Sequence, residues 1–306
     1  MSEPLDTEGS SGLSGKLRAR RGLHAAAAAL VLTVLAALGG CEKPQPFVTS
    51  ERLDRGLVIV LTGIEGRSRF NEEICRGLDA GGVDWAIELH DWTSSLGPLY
   101  NLRAETQNRQ KALEIGWRVA RYHWDYPERP VVLVGQSGGA AIAIWTAEAL
   151  MRGHQVDGLI LLAASISPGY PLESALANTT RGIVNFYSSR DVVFLGMGTT
   201  FTGTMDGRHT SSAGQSGFRL PPQNIRASIG YDRLYEVPWR AEMQEAGNIG
   251  THVTSGGMEF VAKYVAPLVV AREWSEQAVH DITHPATPTL DPWPDSTTEL
   301  EEPARQ

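Results

Sequence analysis

Val131-Val132-Leu133-Val134-Gly135-Gln136-Ser137-Gly138-Gly139-Ala140-Ala141-Ile142-Ala143 is the stretch on which the fold turns. Four consecutive aliphatic residues suit a strand buried on both faces of a sheet. The strand stops at Gly135, and Gly139 to Arg152 reads as a helix, almost entirely apolar on its first turns. Between them lies G-x-S-x-G with Ser137 at its centre. Alone that pattern is weak in a chain with 32 glycines. Its context gives it weight, because the motif needs a strand before it and a helix after it. A serine there sits on a sharp, strained bend, and the flanking glycines let the two backbones approach closely. The bland alternative is a glycine-rich turn with a bystander serine. Gly214-Gln215-Ser216-Gly217-Phe218 is such a decoy, lacking both the final glycine and a preceding strand.

Outward from this point, strands and helices alternate. Leu57–Thr62 is a continuous apolar run ended by Gly63, and Trp85–Leu89 a second strand leading into His90 and Asp91. Leu159–Ala164 and Ile183–Tyr187 follow Ser137, with Ile225–Ile229 as a weaker sixth strand. Helical spacing marks Asn71–Ala80, Arg103–Tyr122 and Met258–Ala271. This alternation predicts an α/β fold, a mostly parallel sheet with helices on both faces. Residues 196–222 break the pattern: they are rich in Gly, Thr and Ser where a crossover helix is expected.

From about residue 57 to 271 the chain resembles the α/β-hydrolase family, through Gly135-Gln136-Ser137-Gly138-Gly139 in its strand-turn-helix setting. The resemblance implies a serine hydrolase with the chain order Ser, then Asp or Glu, then His. Ser137 is then the nucleophile. His252 lies after the sixth strand and before the last helix, where the family keeps its base, and is preferred to His209. Asp191, running off the fifth strand, fits the acid that orients the imidazole, with Asp206 and Asp232 as weaker alternatives and an Asx turn as its bland role. The family's oxyanion donors fall on the backbone N–H groups of Gly138 and Ile64, the latter in Thr62-Gly63-Ile64-Glu65-Gly66. Members often carry H-G-x-x-G there; this chain lacks the first histidine, and Glu65 is unusual near a developing oxyanion. Carboxylic esters are the implied small-molecule substrates, with lipid esters, thioesters and peptides as variants. The lack of a long apolar lid favours small soluble esters. A catalytically silent member of the fold, serving as a membrane-tethered binding protein, is the alternative.

The ends of the chain differ in character. A basic patch, Lys16 to Arg21, precedes an apolar run from Ala25 to Leu38 that closes in Leu38-Gly39-Gly40-Cys41. This has the layout of a secretory signal peptide, and the small residues before a cysteine resemble the bacterial lipobox. The resemblance implies removal of residues 1–40, a diacylglyceryl group on Cys41, and an extracytoplasmic protein held at a membrane. A plain transmembrane anchor is the alternative, since Gly22 to Gly40 is just long enough to span a bilayer. Residues 41–55, with Pro44 and Pro46, read as a tether to a domain over 56–272. Residues 273–306, acidic and proline-rich especially from Asp281, read as a disordered tail. Cys75 is expected as a small buried residue.

Several classes are excluded. The net charge is -8, and four basic against three acidic residues in the first forty leave the remainder at -9. That balance offers no cluster of cations for nucleic-acid phosphates. No G-x-G-x-x-G or Walker A spacing occurs at a strand-to-helix turn, so no nucleotide cofactor is implied. Asp206 and His209 supply too few ligands for a metal.

Overall fold

The computed structural model describes residues 45–285 apart from 193, 196–198, 201 and 202. The leader over 1–40 and Cys41 lie outside the described residues. Six strands form one parallel sheet: β1 (Leu57–Leu61), β2 (Ala86–His90), β3 (Val131–Gln136), β4 (Val156–Leu162), β5 (Thr179–Tyr187) and β8 (Leu234–Pro238). Two short strands, β6 (Phe194–Leu195) and β7 (Thr199–Thr200), pair as an antiparallel hairpin. Sheet order is β2-β1-β3-β4-β5-β8. The fold is therefore α/β, as the alternating pattern predicts.

Burial on both faces explains the aliphatic runs. All five residues of β1 are fully buried. Leu57, Ile59 and Leu61 point into a core shared with Ala112, Ile115 and Val119 of the helix Glu105–Asp125. Val58 and Val60 point the other way, toward Ile74 and Leu78 of the helix Arg69–Ala80. A parallel sheet needs this double cover, because its crossovers place helices on each face.

The chain leaves β1 toward β2 on one side, and β3 then pairs on the other side of β1. Crevices beyond the carboxyl ends of strands at such a reversal are where open α/β sheets bind ligands. Ser137 follows β3 at this reversal.

Three expectations are corrected. Ile225–Ile229 is not a strand: Gln223–Arg226 is a helical turn and Ala227–Ile229 a 3-10 turn, with Ile225 exposed. The sixth strand is β8, whose aliphatic run is interrupted by Glu236; Asn185 on β5 donates to that carboxylate at 2.9 Å. The stretch taken as a tether is folded from Gln45 onward, with Phe47 packed on the core and a helix at Ser50–Leu53. The stretch taken as a disordered tail contains the helix Glu276–Thr283, capped by Ser275, burying Val279 and Thr283; residues 286–306 lie outside the described residues.

Candidate active site

The local geometry at Ser137 follows from its two glycines. Ser137 has φ 56° and ψ -119°, a conformation costly for a residue with a side chain. It is held there by neighbours. The Ser137 N–H donates to Leu162 O at 2.9 Å, and its carbonyl accepts from Ser165 N at 3.1 Å. A Cβ on Gly135 would lie 2.6 Å from Ala140 Cα, and one on Gly139 would strike the carbonyls of Leu61 and Thr62. Strand and helix are thus too close at this bend for any side chain at either position.

Three residues distant in sequence meet at this bend. Ser137 Oγ lies 2.8 Å from His252 Nε2, and His252 Nδ1 lies 2.8 Å from Asp191 Oδ1. A carboxylate only accepts, so the Nδ1 proton faces Asp191 and Nε2 is left to accept from the serine hydroxyl. The Asp191 side chain is 2% exposed and that of His252 14%. Asp191 stands in a turn, its N–H donating to Ser188 O at 2.9 Å. The His252 carbonyl is fixed from two sides, by Ser255 Oγ at 3.0 Å and Gln136 Nε2 at 3.3 Å. Gln136 thereby ties His252 to the strand that leads into Ser137. Behind Asp191, a cavity of about 20 Å³ is lined by Ser188, Asn248 and Thr251.

The weaker candidates are elsewhere. His209 is exposed, and Asp206 is engaged by the N–H and hydroxyl of Ser167. Asp232 is exposed on a 3-10 turn. Arg190, beside Asp191, is exposed and lies over the Trp239 ring at 4.2 Å. Ser216 in the decoy motif belongs to the helical turn Ala213–Ser216.

The loop after β1 lies against the nucleophile turn: a Cβ on Gly138 would come within 2.6 Å of Ile64 Cγ2. Among the described residues, neither the Ile64 N–H nor the Gly138 N–H is given to a protein acceptor. Gly138 is the first helical residue, where an N–H has no partner within the helix. Asn101, buried, donates to Ile64 O at 2.9 Å, and Trp92 Nε1 donates to Thr62 O at 2.7 Å. Glu65 turns back from the loop and accepts from Ser68 Oγ at 3.2 Å and Asn71 Nδ2 at 3.3 Å. Its charge is thereby drawn toward the start of the helix Arg69–Ala80, where a macrodipole favours it.

One neighbour escaped the sequence. Ser165 Oγ lies 3.2 Å from Ser137 Oγ. It stands three residues beyond Leu162, the cross-strand partner of Gln136. No local motif marks it; only the register of β3 against β4 brings it to Ser137. Among the described residues no cluster of three or more His, Cys, Asp or Glu side chains is placed to hold a metal.

No family model matches the chain, and no curated protein matches it. Solved structures similar to it include a cutinase-like protein from Cryptococcus sp., 14% identical, with a TM-score of 0.37 over 70% of this chain and 93% of that one. Another is an uncharacterized protein from Bacillus cereus, 14% identical, with a TM-score of 0.38 over 71% of this chain and 66% of that one. Neither likeness is close enough to assign a family or an activity to this chain.

Proposed function

We propose that this chain is a serine hydrolase of the α/β-hydrolase type that cleaves carboxylic esters through an acyl-enzyme on Ser137. The observation that carries this is the unbroken relay of Ser137 Oγ, His252 and Asp191, with 2.8 Å at each step, on a serine held at φ 56°. Each distance is that of a formed hydrogen bond, which supports His252 as the base that takes the serine proton.

In this mechanism Ser137 Oγ attacks the ester carbonyl carbon while its proton passes to His252 Nε2. The carbonyl oxygen becomes an oxyanion facing the N–H groups of Ile64 and Gly138; losing one such donor costs roughly 3 kcal/mol of transition-state stabilisation. Collapse breaks the bond to the leaving alkoxy group, which takes the proton from His252. Water then adds to the acyl-enzyme, giving its proton to the same nitrogen, and the acid departs as Ser137 Oγ recovers it. Asp191 keeps the Nδ1 proton facing itself and stabilises the imidazolium, without taking that proton.

The test is mass spectrometry after exposure to a fluorophosphonate. A single adduct on Ser137, lost in Ser137→Ala, is expected. A folded protein that stays unlabelled and turns over no ester in a broad panel would instead indicate a silent binding protein.

A further inference from the structure

Gln45, the first of the described residues, lies beside the end of the sheet that bears Ser137. Gln45 reaches the outer edge of β2, where its side-chain carbonyl accepts from Leu89 N at 2.7 Å, and Phe47 O accepts from Ile87 N at 3.1 Å. Leu89 is the residue before His90, where β2 ends. Cys41 is four residues before Gln45. At about 3.5 Å per residue, a fully extended chain carries Cys41 no more than roughly 14 Å from Gln45. A domain of this size is about 45 Å across. A lipid on Cys41 would therefore hold the bilayer within that reach of Gln45, beside β2.

Apolar side chains are exposed at that end of the sheet, besides Trp117, Trp124 and Met151 (55%, 83% and 48%) elsewhere on the surface. Leu96, Leu99 and Tyr100 follow β2 and are 69%, 49% and 36% exposed. Leu99 and Tyr100 are on the helix Pro98–Arg103, whose Asn101 braces the carbonyl of Ile64 beside the turn at Ser137, and Leu96 just precedes it. Ile249 and Val253, in the segment after β8 that carries His252, are 50% and 41% exposed. Phe70, in the first turn of the helix after β1, is 47% exposed. In a parallel sheet every segment from a strand's carboxyl end to the next helix lies at this one end. Isolated exposed apolar residues need no explanation, but several at one end of a sheet mark a contact surface.

From the reach of the anchor and this rim together, we infer that the Ser137-bearing end of the sheet rests on the bilayer holding a lipidated Cys41, and that the ester hydrolysed is a lipid of that membrane. The inference rests on the ester-hydrolase proposal for its chemistry and on the lipobox for its anchor. It replaces the small soluble ester that the lack of an apolar lid favours. Burial of the rim in the interface also removes water from the mouth of the site, where an acyl chain can leave the bilayer directly for Ser137.

The test uses the full lipidated protein in phosphatidylcholine vesicles. Cys75 is buried and Cys41 carries the lipid, so a thiol-reactive environment-sensitive fluorophore reports only an introduced cysteine. Leu96→Cys and Leu99→Cys should each give a blue-shifted probe quenched by nitroxide-bearing lipids. Asp125→Cys, on the exposed end of the helix Glu105–Asp125, should give a probe in water. Two rim positions guard against one variant failing to fold. Equal exposure at all three positions, quenching at Asp125 alone, or a chain that does not float with vesicles would overturn the inference. Fluorophosphonate labelling of Ser137 on the same sample reports the hydrolase chemistry separately. A quenched rim on an unlabelled protein would remove the chemistry and leave the orientation standing.

Discussion

Asp191, His252 and Ser137 are separated by 61 and 115 positions along the chain, yet their reactive atoms lie within hydrogen-bond distance in series. Each partner's worth can be measured alone. Asp191→Asn keeps the shape but offers an amide N–H where only an acceptor serves, so His252 is driven to the wrong tautomer; kcat should fall by about 10⁴. His252→Ala should cost several powers of ten, while His209→Ala, altering an exposed loop residue, should leave ester turnover within about twofold. Steady-state kinetics on a short-chain ester decides this, and the reverse ranking would unseat His252 as the base. Ser137 and His252 were legible because the first carries its own local signature and the second is fixed by chain order. Ser165 was not, since its approach to Ser137 depends on neighbouring strands rather than on any local pattern.

At the scale of elements, β8 shows how one polar residue hides a strand. Leu234, Tyr235 and Val237 are buried, but Glu236 interrupts them and breaks the kind of apolar run that reveals β1, β3 and β4. Burial pushes the Glu236 carboxyl up from the usual 4.5 to about 7, against hydrogen bonds from Asn185 and the Phe218 N–H that favour its charged form. Below pH 4.5 the group is neutral in folded and unfolded chains alike. As pH rises from there toward 7, the unfolded chain loses the proton while the fold retains it, so stability falls across that window. The loss is at most about 3 kcal/mol for a shift of this size. Denaturant midpoints between pH 4.5 and 7.5 should therefore drop more for the parent than for Glu236→Gln. Parallel curves would show that the carboxyl titrates as it does in the unfolded chain. The helix Glu276–Thr283 was hidden differently: its composition is that of a solvated tail, and only the groove side of β8 and its neighbours gives Val279 something to bury against.

For the whole molecule, anchoring at Cys41 is open to direct test. Cys41→Ser should abolish incorporation of labelled fatty acid and release the protein from the membrane fraction; unchanged labelling would end the lipobox assignment. The remaining cysteine is not a competitor for such chemistry. Cys75 is buried in the helix Arg69–Ala80, and desolvation pushes its thiol up to about 12, which leaves almost no thiolate to react. The sequence by itself marked β1, residues 131–134 of β3 and residues 159–162 of β4, because there the strands are covered on both faces and aliphatic throughout, and so announce themselves. It also determined the bend at Ser137, since strand and helix can approach this closely only through Gly135 and Gly139. Tertiary structure alone decided what depends on contacts between distant segments. Those are the place of β8, the fixing of the His252 carbonyl by Gln136, and the position of Gln45 at the end of β2. The physical reason is common to all three. Periodicity and local strain are written residue by residue, whereas a hydrogen bond between segments exists only once register and packing have brought its two partners together.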